Sequence, residues 1–372
     1  MAKMNIVISG VNLVEGGILS VLEDCVAAAK GLEIADVKFT LLLNKKNLVN
    51  DLDERFTVLE YPNIKKSWLK RIYFEYFSCR EISKNIKSDL WISLHDMTPH
   101  VHAKMQVVYC HNPSPFYKSK LKDFFIDRKL FLFSYFYKYL YQINIKRNRY
   151  VIIQQNWLRI AFEKAYKVPT IVAYPSIQLS QANIDRDHGI KNAQIFTFFY
   201  PSFPRIFKNF ETLFEAVDQL SVKRRDFQLL VTIDSQQNTL GNRLFQRYGH
   251  IEQIKFIGKQ TRDQVYGIFQ SCDALVFPSK LETWGLPLTE AKQFNKAILA
   301  ADLEYAHENI QDYKMVKFFD PDDPKKLSGY MDDLIDNRLT FDKNDVITPA
   351  QPFFENWDGL LRFLINEAKT NI

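Results

Sequence analysis

Two glutamates eight residues apart, Glu282 and Glu290, stand in the stretch Phe277-Pro-Ser-Lys-Leu-Glu-Thr-Trp-Gly-Leu-Pro-Leu-Thr-Glu-Ala291. The apolar residues before it read as a buried strand ending at Pro278. A loop follows that holds Glu282, Thr283, Trp284, Gly285 and Leu286. Pro287 suits a first helical position, so a helix is expected over 287–294, with Glu290 in its first turn. A helix start offers unpaired N–H groups and a partial positive charge, a combination that binds a diphosphate. Gly285 lets backbone approach a ligand with no Cβ in the way. In that setting Glu282, at the loop tip, accepts hydrogen bonds from sugar hydroxyls. Glu290 takes a bidentate pair from ribose hydroxyls. Read alone, the same residues equally describe a plain helix start with ordinary acidic side chains.

The ordered pattern PSxxExWGLPxxEA resembles the signature of family 4 glycosyltransferases, retaining enzymes of the GT-B fold. Trp284 stands where that family usually has Phe. The resemblance implies roles elsewhere in the chain. Gly16-Gly17 matches the family's double-glycine loop beside the donor diphosphate and acceptor, a tight turn being the alternative. The segment Phe199-Tyr-Pro-Ser-Phe-Pro-Arg-Ile-Phe-Lys-Asn209 is similar to the loop that supplies an Arg and a Lys to the diphosphate. Lys208-Asn209 falls at the lysine's place. The family's arginine stands five residues earlier, where this chain has Phe203. Arg205 is expected to take over its charge from a reshaped loop, against the alternative of a solvated basic loop. Cations are needed there because a leaving diphosphate gains negative charge as the glycosidic bond breaks.

In the first half, Val107-Val-Tyr-Cys-His-Asn112 resembles the strand end where the family places a histidine beside the donor sugar. His111 thus joins Glu282 as a catalytic candidate. His95, ending the preceding strand, reads rather as a buried structural histidine. The closing Phe353-Phe-Glu-Asn-Trp-Asp358 resembles the aromatic element before a final helix that crosses back onto the first domain.

The surrounding elements alternate as strand and helix. Apolar runs at 5–9, 37–43, 57–59, 90–94, 106–110, 151–154 and 170–173 read as strands, with a helix over 19–30. After a polar linker at 178–194 the rhythm restarts, with strands at 195–199, 228–233, 254–257, 274–278, 297–300 and 316–319. Helices are expected over 210–220, 240–248, 263–271 and 357–368. Alternation of this kind implies mostly parallel sheets with helices on both faces. The expected architecture is α/β of the GT-B type, two facing Rossmann-like domains with a C-terminal crossover helix. Residues 1–177, joined by the helix within 354–372, would bind the acceptor. Residues 178–353 would bind the nucleotide sugar.

At 372 residues with 47% apolar and 25% charged composition, the chain has ample material for two cores. Cys25, Cys79, Cys110 and Cys272 are scattered, which fits reduced thiols in a cytosolic protein. No apolar run is long enough to span a bilayer, and the N-terminus reads straight into a strand. Asp320-Pro-Asp322 and Asp332-Asp333 read as turn and surface carboxylates, so no metal and no cofactor is expected. Net charge is +6, yet Pro115–Tyr150 alone holds nine Lys/Arg against two Asp, together with twelve aromatics. Ile64–Phe77 is a second cationic, aromatic stretch. Such patches point to an anionic membrane surface met by interfacial helices. The alternative is core aromatics with solvated lysines. Nothing in the chain reads as a nucleic-acid module.

The expected partners are therefore a nucleotide-sugar donor, a glycan or lipid-linked glycan acceptor, and an anionic inner membrane face. The expected setting is cytoplasmic polysaccharide or lipopolysaccharide assembly. A nucleotide-sugar epimerase of the same fold and a non-catalytic partner subunit are the competing functions.

Overall fold

The computed structural model describes residues 3–34, 36–117, 136–175 and 195–370. The expected linker at 178–194 and residues 118–135 of the aromatic and basic block lie outside them. The chain forms two compact units. The first gathers Met1–Phe116, Tyr135–Ser176 and Pro349–Ile372, and the second is built on Ile177–Thr348.

In the first unit the order is β1 (Met4–Ser9), α1 (Gly17–Gly31), β2 (Val37–Leu43), β3 (Phe56–Glu60), α2 (Trp68–Tyr73), a π-helical turn (Phe74–Ser78) and α3 (Cys79–Ile86). Then follow β4 (Leu90–Ser93), β5 (Met105–Cys110), β6 (Tyr150–Ile153), α4 (Asn156–Tyr166) and β7 (Thr170–Ala173). The second unit runs β8 (Phe196–Tyr200), α5 (Phe210–Ser221), β9 (Phe227–Val231), α6 (Thr239–Tyr248), β10 (Ile254–Phe256), α7 (Arg262–Ser271) and β11 (Ala274–Phe277). It closes with α8 (Leu286–Gln293), β12 (Ala297–Ala301), α9 (Glu304–Ile310), β13 (Val316–Phe319) and α10 (Pro324–Ile335). The chain then returns to the first unit with β14 (Phe353–Phe354) and α11 (Trp357–Thr370). Every expected strand is present with its ends within two residues, and the helices α3, α4, α9 and α10 add to the expected set.

Both sheets are parallel throughout, in the orders β14-β7-β6-β5-β4-β1-β2-β3 and β10-β9-β8-β11-β12-β13. Strands covered on both faces are expected to be apolar along their length, and β4, β5, β7 and β11 are buried at every position. The strand order reverses between β1 and β4 in one sheet and between β8 and β11 in the other. At such a reversal neighbouring loops leave in opposite directions, opening a crevice at the strands' carboxyl ends where ligands bind.

The last helix explains why the first unit needs the end of the chain. Trp357, Leu360, Leu361, Leu364, Ile365 and Ala368 recur at helical spacing and are all buried. They pack on α1, whose own buried stripe is Val21, Leu22, Cys25, Val26 and Ala29. Each such aliphatic side chain contributes about 1.5–3 kcal/mol by leaving water.

Candidate active site

The loops after β8 and β11 carry the candidate residues of the second unit, and hydrogen bonds join them. Residues Ile206–Lys208 form a single 3-10 turn, and Asn209 follows in the left-handed region at φ 58°. Asn209 Nδ2 donates to the carbonyls of Pro278 at 3.1 Å and Pro321 at 2.7 Å. The Lys280 N–H donates to the Phe207 carbonyl at 2.7 Å, and Tyr200 Oη donates to that of Lys208 at 2.8 Å. These bonds bring Lys208 Nζ to 2.6 Å from Glu282 Oε1. The two side chains are 18% and 12% exposed, so the pair, on the loops that follow β8 and β11, is largely sheltered from water. Arg205 is exposed and lies over the rings of Phe203 and Phe207 at 5.9 and 6.0 Å.

Gly285 starts α8 at φ +80°, a conformation that disfavours any other residue. A Cβ there would also meet Leu288 at 3.2 Å and Phe277 at 3.3 Å. The helix begins at Leu286, so Pro287 takes the second helical position, one later than expected. Glu290 consequently lies beyond the first turn, where no acidic residue stands. No side chain caps the helix, which leaves its leading amides to other acceptors. Asn309 braces this corner by donating to the carbonyls of Trp284 at 2.9 Å and Gly285 at 3.3 Å. Trp284 Nε1 donates to Thr289 Oγ1 at 3.0 Å, which turns the indole inward rather than toward a ligand. Thr283 is partly exposed.

Glu290 is buried, and burial lifts its carboxyl from 4.5 to about 7, with Arg262 pulling the other way. Arg262 opens α7 behind the capping box Thr261–Gln264, and its Nε donates to Tyr266 Oη at 2.6 Å. A raised carboxyl means that the folded state binds more protons than the unfolded state between about pH 4.5 and 7. Stability therefore falls as pH rises through that window. Glu290→Gln is expected to remove a loss on the order of 2 kcal/mol between pH 5 and pH 8, read by urea denaturation. Glu75 acts in the same direction, so the test is the difference between wild type and variant, and equal pH slopes would contradict it.

In the first unit a polar cluster sits at the β1/β4 reversal. Gly16 and Gly17 are exposed, and Gly16 caps α1 at φ 66° with no side-chain cap. Ser9 Oγ and His95 Nε2 share a buried hydrogen bond of 3.1 Å. His95 Nδ1 lies 3.3 Å from Glu75 Oε1 but without hydrogen-bond geometry. Burial raises Glu75 to about 8 and, helped by Arg71, lowers His95 well below the usual histidine range. Burial thus works against charge on either member, in keeping with a structural His95.

His111 is held differently. Asp96 Oδ1 accepts from the backbone N–H of His111 at 2.8 Å and of Asn112 at 3.1 Å, and from Tyr141 Oη at 3.0 Å. Asp96 Oδ2 lies 3.6 Å from His111 Nε2. Asp96 thus fixes the strand end that carries His111 and faces its ring.

The structure brings together Lys208, Glu282 and the start of α8, and separately His111 with Asp96. Sequence reasoning missed Asp96, Asn209, Arg262 and Asn309 as positioning groups. For Arg262 a signal existed, since Thr261-Arg-Asp-Gln264 has the spacing of a capping box. Among the described residues no group of three or more His, Cys, Asp or Glu could hold a metal ion, and all four cysteines are buried.

Residues 180–350 match the model of the family Glycosyl transferases group 1. No curated protein matches the sequence. The fold is similar to that of the sucrose-phosphate synthase of Thermosynechococcus elongatus, with a TM-score of 0.65 at 13% identity over 90% of each chain. HepE of Anabaena, solved with UDP-glucose, gives 0.61 at 16% over 99% of this chain and 98% of its own. WaaG, a glycosyltransferase involved in lipopolysaccharide biosynthesis, gives 0.60 at 13% over 87% and 88%. At these identities the likeness establishes the two-domain GT-B fold.

Proposed function

We propose that this chain, a glycosyltransferase whose residues 180–350 belong to the group 1 family, moves a sugar from a nucleoside-diphosphate donor to a glycan hydroxyl. The observation that supports this reading best is the Lys208–Glu282 pair at the β8/β11 reversal, next to the uncapped start of α8. Lys208, Arg205 and the leading amides of α8 take the diphosphate. Glu290 holds the ribose, and Glu282 with Thr283 and the amides beyond it orients the sugar. His111, steadied by Asp96, is the catalytic group we assign within the first unit, and Gly16-Gly17 its donor-binding turn.

The bond from the anomeric carbon to the diphosphate oxygen breaks through an oxocarbenium-like state. The acceptor oxygen attacks from the leaving-group face, and its proton passes to a donor phosphate oxygen. Configuration at the anomeric carbon is retained. Charge on the leaving diphosphate is met by the two cations and the helix start, with no metal required.

The acceptor we assign is a lipid-linked glycan at the inner face of a membrane, in surface-polysaccharide assembly. The resemblance to WaaG supports that setting, and the complex of HepE with UDP-glucose supports a nucleotide-sugar donor.

A panel of uridine- and guanosine-linked sugars tests the reading by thermal shift. The true donor, at about a hundred times its Kd, should raise Tm by roughly 5 °C. A panel in which no member shifts Tm would count against the donor site. Conversion of donor to a new sugar nucleotide without acceptor would instead assign an epimerase.

A further inference from the structure

We propose that the helical run Trp68–Ser78 and the adjoining residues 136–143 form one docking region for an anionic lipid bilayer. Among the described residues twelve large hydrophobic side chains stand exposed, and seven of them belong to these two stretches: Trp68, Leu69, Tyr73, Phe77, Phe136, Tyr139 and Ile143. Leu69, Tyr73 and Phe77 are 78%, 63% and 61% exposed, beyond what scattered surface apolars need.

The stretches are distant in sequence but abut in the fold. Trp68 meets Tyr137 edge-on with ring centroids 6.4 Å apart, and Tyr73 stacks on Phe77 at 5.3 Å. Phe136, Tyr139 and Ile143 fall at i, i+3 and i+7, while Tyr137 and Tyr141 point inward. On the other run, Phe74 and Cys79 hold the helix to the core.

Charge selects the occupant. Residues 64–87 hold seven Lys/Arg and two Glu, and one of the two, Glu75, is fully buried. Residues 136–150 hold four Lys/Arg and no acid. Lys66 and Lys70 are exposed beside Leu69. Lys65, Lys84 and Arg149 are ion-paired with Glu15, Glu81 and Glu367. The apolar and aromatic tips flanked by the exposed Lys66 and Lys70 nevertheless match the boundary of an anionic bilayer, where rings enter the acyl edge and lysines meet head groups. An acidic water-soluble partner would have no use for the apolar tips.

The inference rests on the lipid-linked acceptor reading, but its test measures binding rather than transfer, so the two can fail separately. The full chain is floated at low salt with phosphatidylcholine vesicles, with and without phosphatidylglycerol. Binding is expected on the anionic vesicles only, and high salt should weaken it. The variant Leu69→Ser/Tyr73→Ser/Phe77→Ser and the variant Lys66→Glu/Lys70→Glu should each lower partitioning about tenfold at unchanged Tm. Absence of flotation, or flotation that ignores both variants, overturns the proposal. A dimer that these variants dissociate, without flotation, assigns the region to a second copy of the chain and overturns it equally.

Discussion

Glu282→Gln is expected to lower turnover by about 10²- to 10³-fold while nucleoside-diphosphate affinity stays within about twofold. The substitution preserves size and one hydrogen-bonding oxygen but removes the charge held 2.6 Å from Lys208. In the resting site that carboxylate neutralises the lysine. In the proposed mechanism Lys208 turns to an arriving diphosphate, and the carboxylate is left facing a sugar that gains positive charge as its bond breaks. The interaction is therefore stronger in the transition state than in the bound donor, the condition for a loss confined to turnover. Steady-state kinetics with titration of the free nucleotide checks it. Matching losses in both would place Glu282 among the nucleotide-binding groups instead.

Lys208→Ala should behave in the opposite way. The diphosphate is charged before and after bond cleavage, so the lysine acts in both states. Nucleotide affinity should fall about tenfold, and kcat/KM by about 10³-fold. The variant also leaves a largely buried carboxylate without its cation, which costs about 3 kcal/mol. Lys208→Arg should recover part of the affinity. Calorimetric titration with the bare nucleoside diphosphate measures this, and an unchanged Kd would remove Lys208 from the donor site.

What the sequence disclosed was whatever is encoded locally. Buried parallel strands announce themselves as apolar runs, so β2, β7 and β13 could be placed to the residue. The Glu282–Glu290 stretch was legible because strand, loop and helix start follow one another within fifteen residues. Pro287 misled by one position, since either of the first two helical residues tolerates a missing N–H.

What stayed hidden depends on partners far away in sequence. Asp96 looks like an ordinary strand-end acid until His111, Asn112 and Tyr141, 15 to 45 residues further on, converge on it. Glu75 sits in a cationic, aromatic run that gives no sign of its burial, yet its helix turns it wholly inward. The Arg262–Glu290 relation spans two helices, and the Asn309 brace reaches back 24 and 25 residues to the corner of α8. Periodicity reports which face of an element is buried, not which polar groups meet there.

The return of β14 and α11 to the first unit bears on how the chain is made. A ribosome releases all of the second unit before it releases Leu360, Leu364 and Ile365, which plug the side of α1. The lobe translated first is thus the last that can finish, and until then it shows an apolar trough along Val21, Leu22 and Val26. During synthesis the earlier lobe is the one in need of a chaperone, while the later one can close alone.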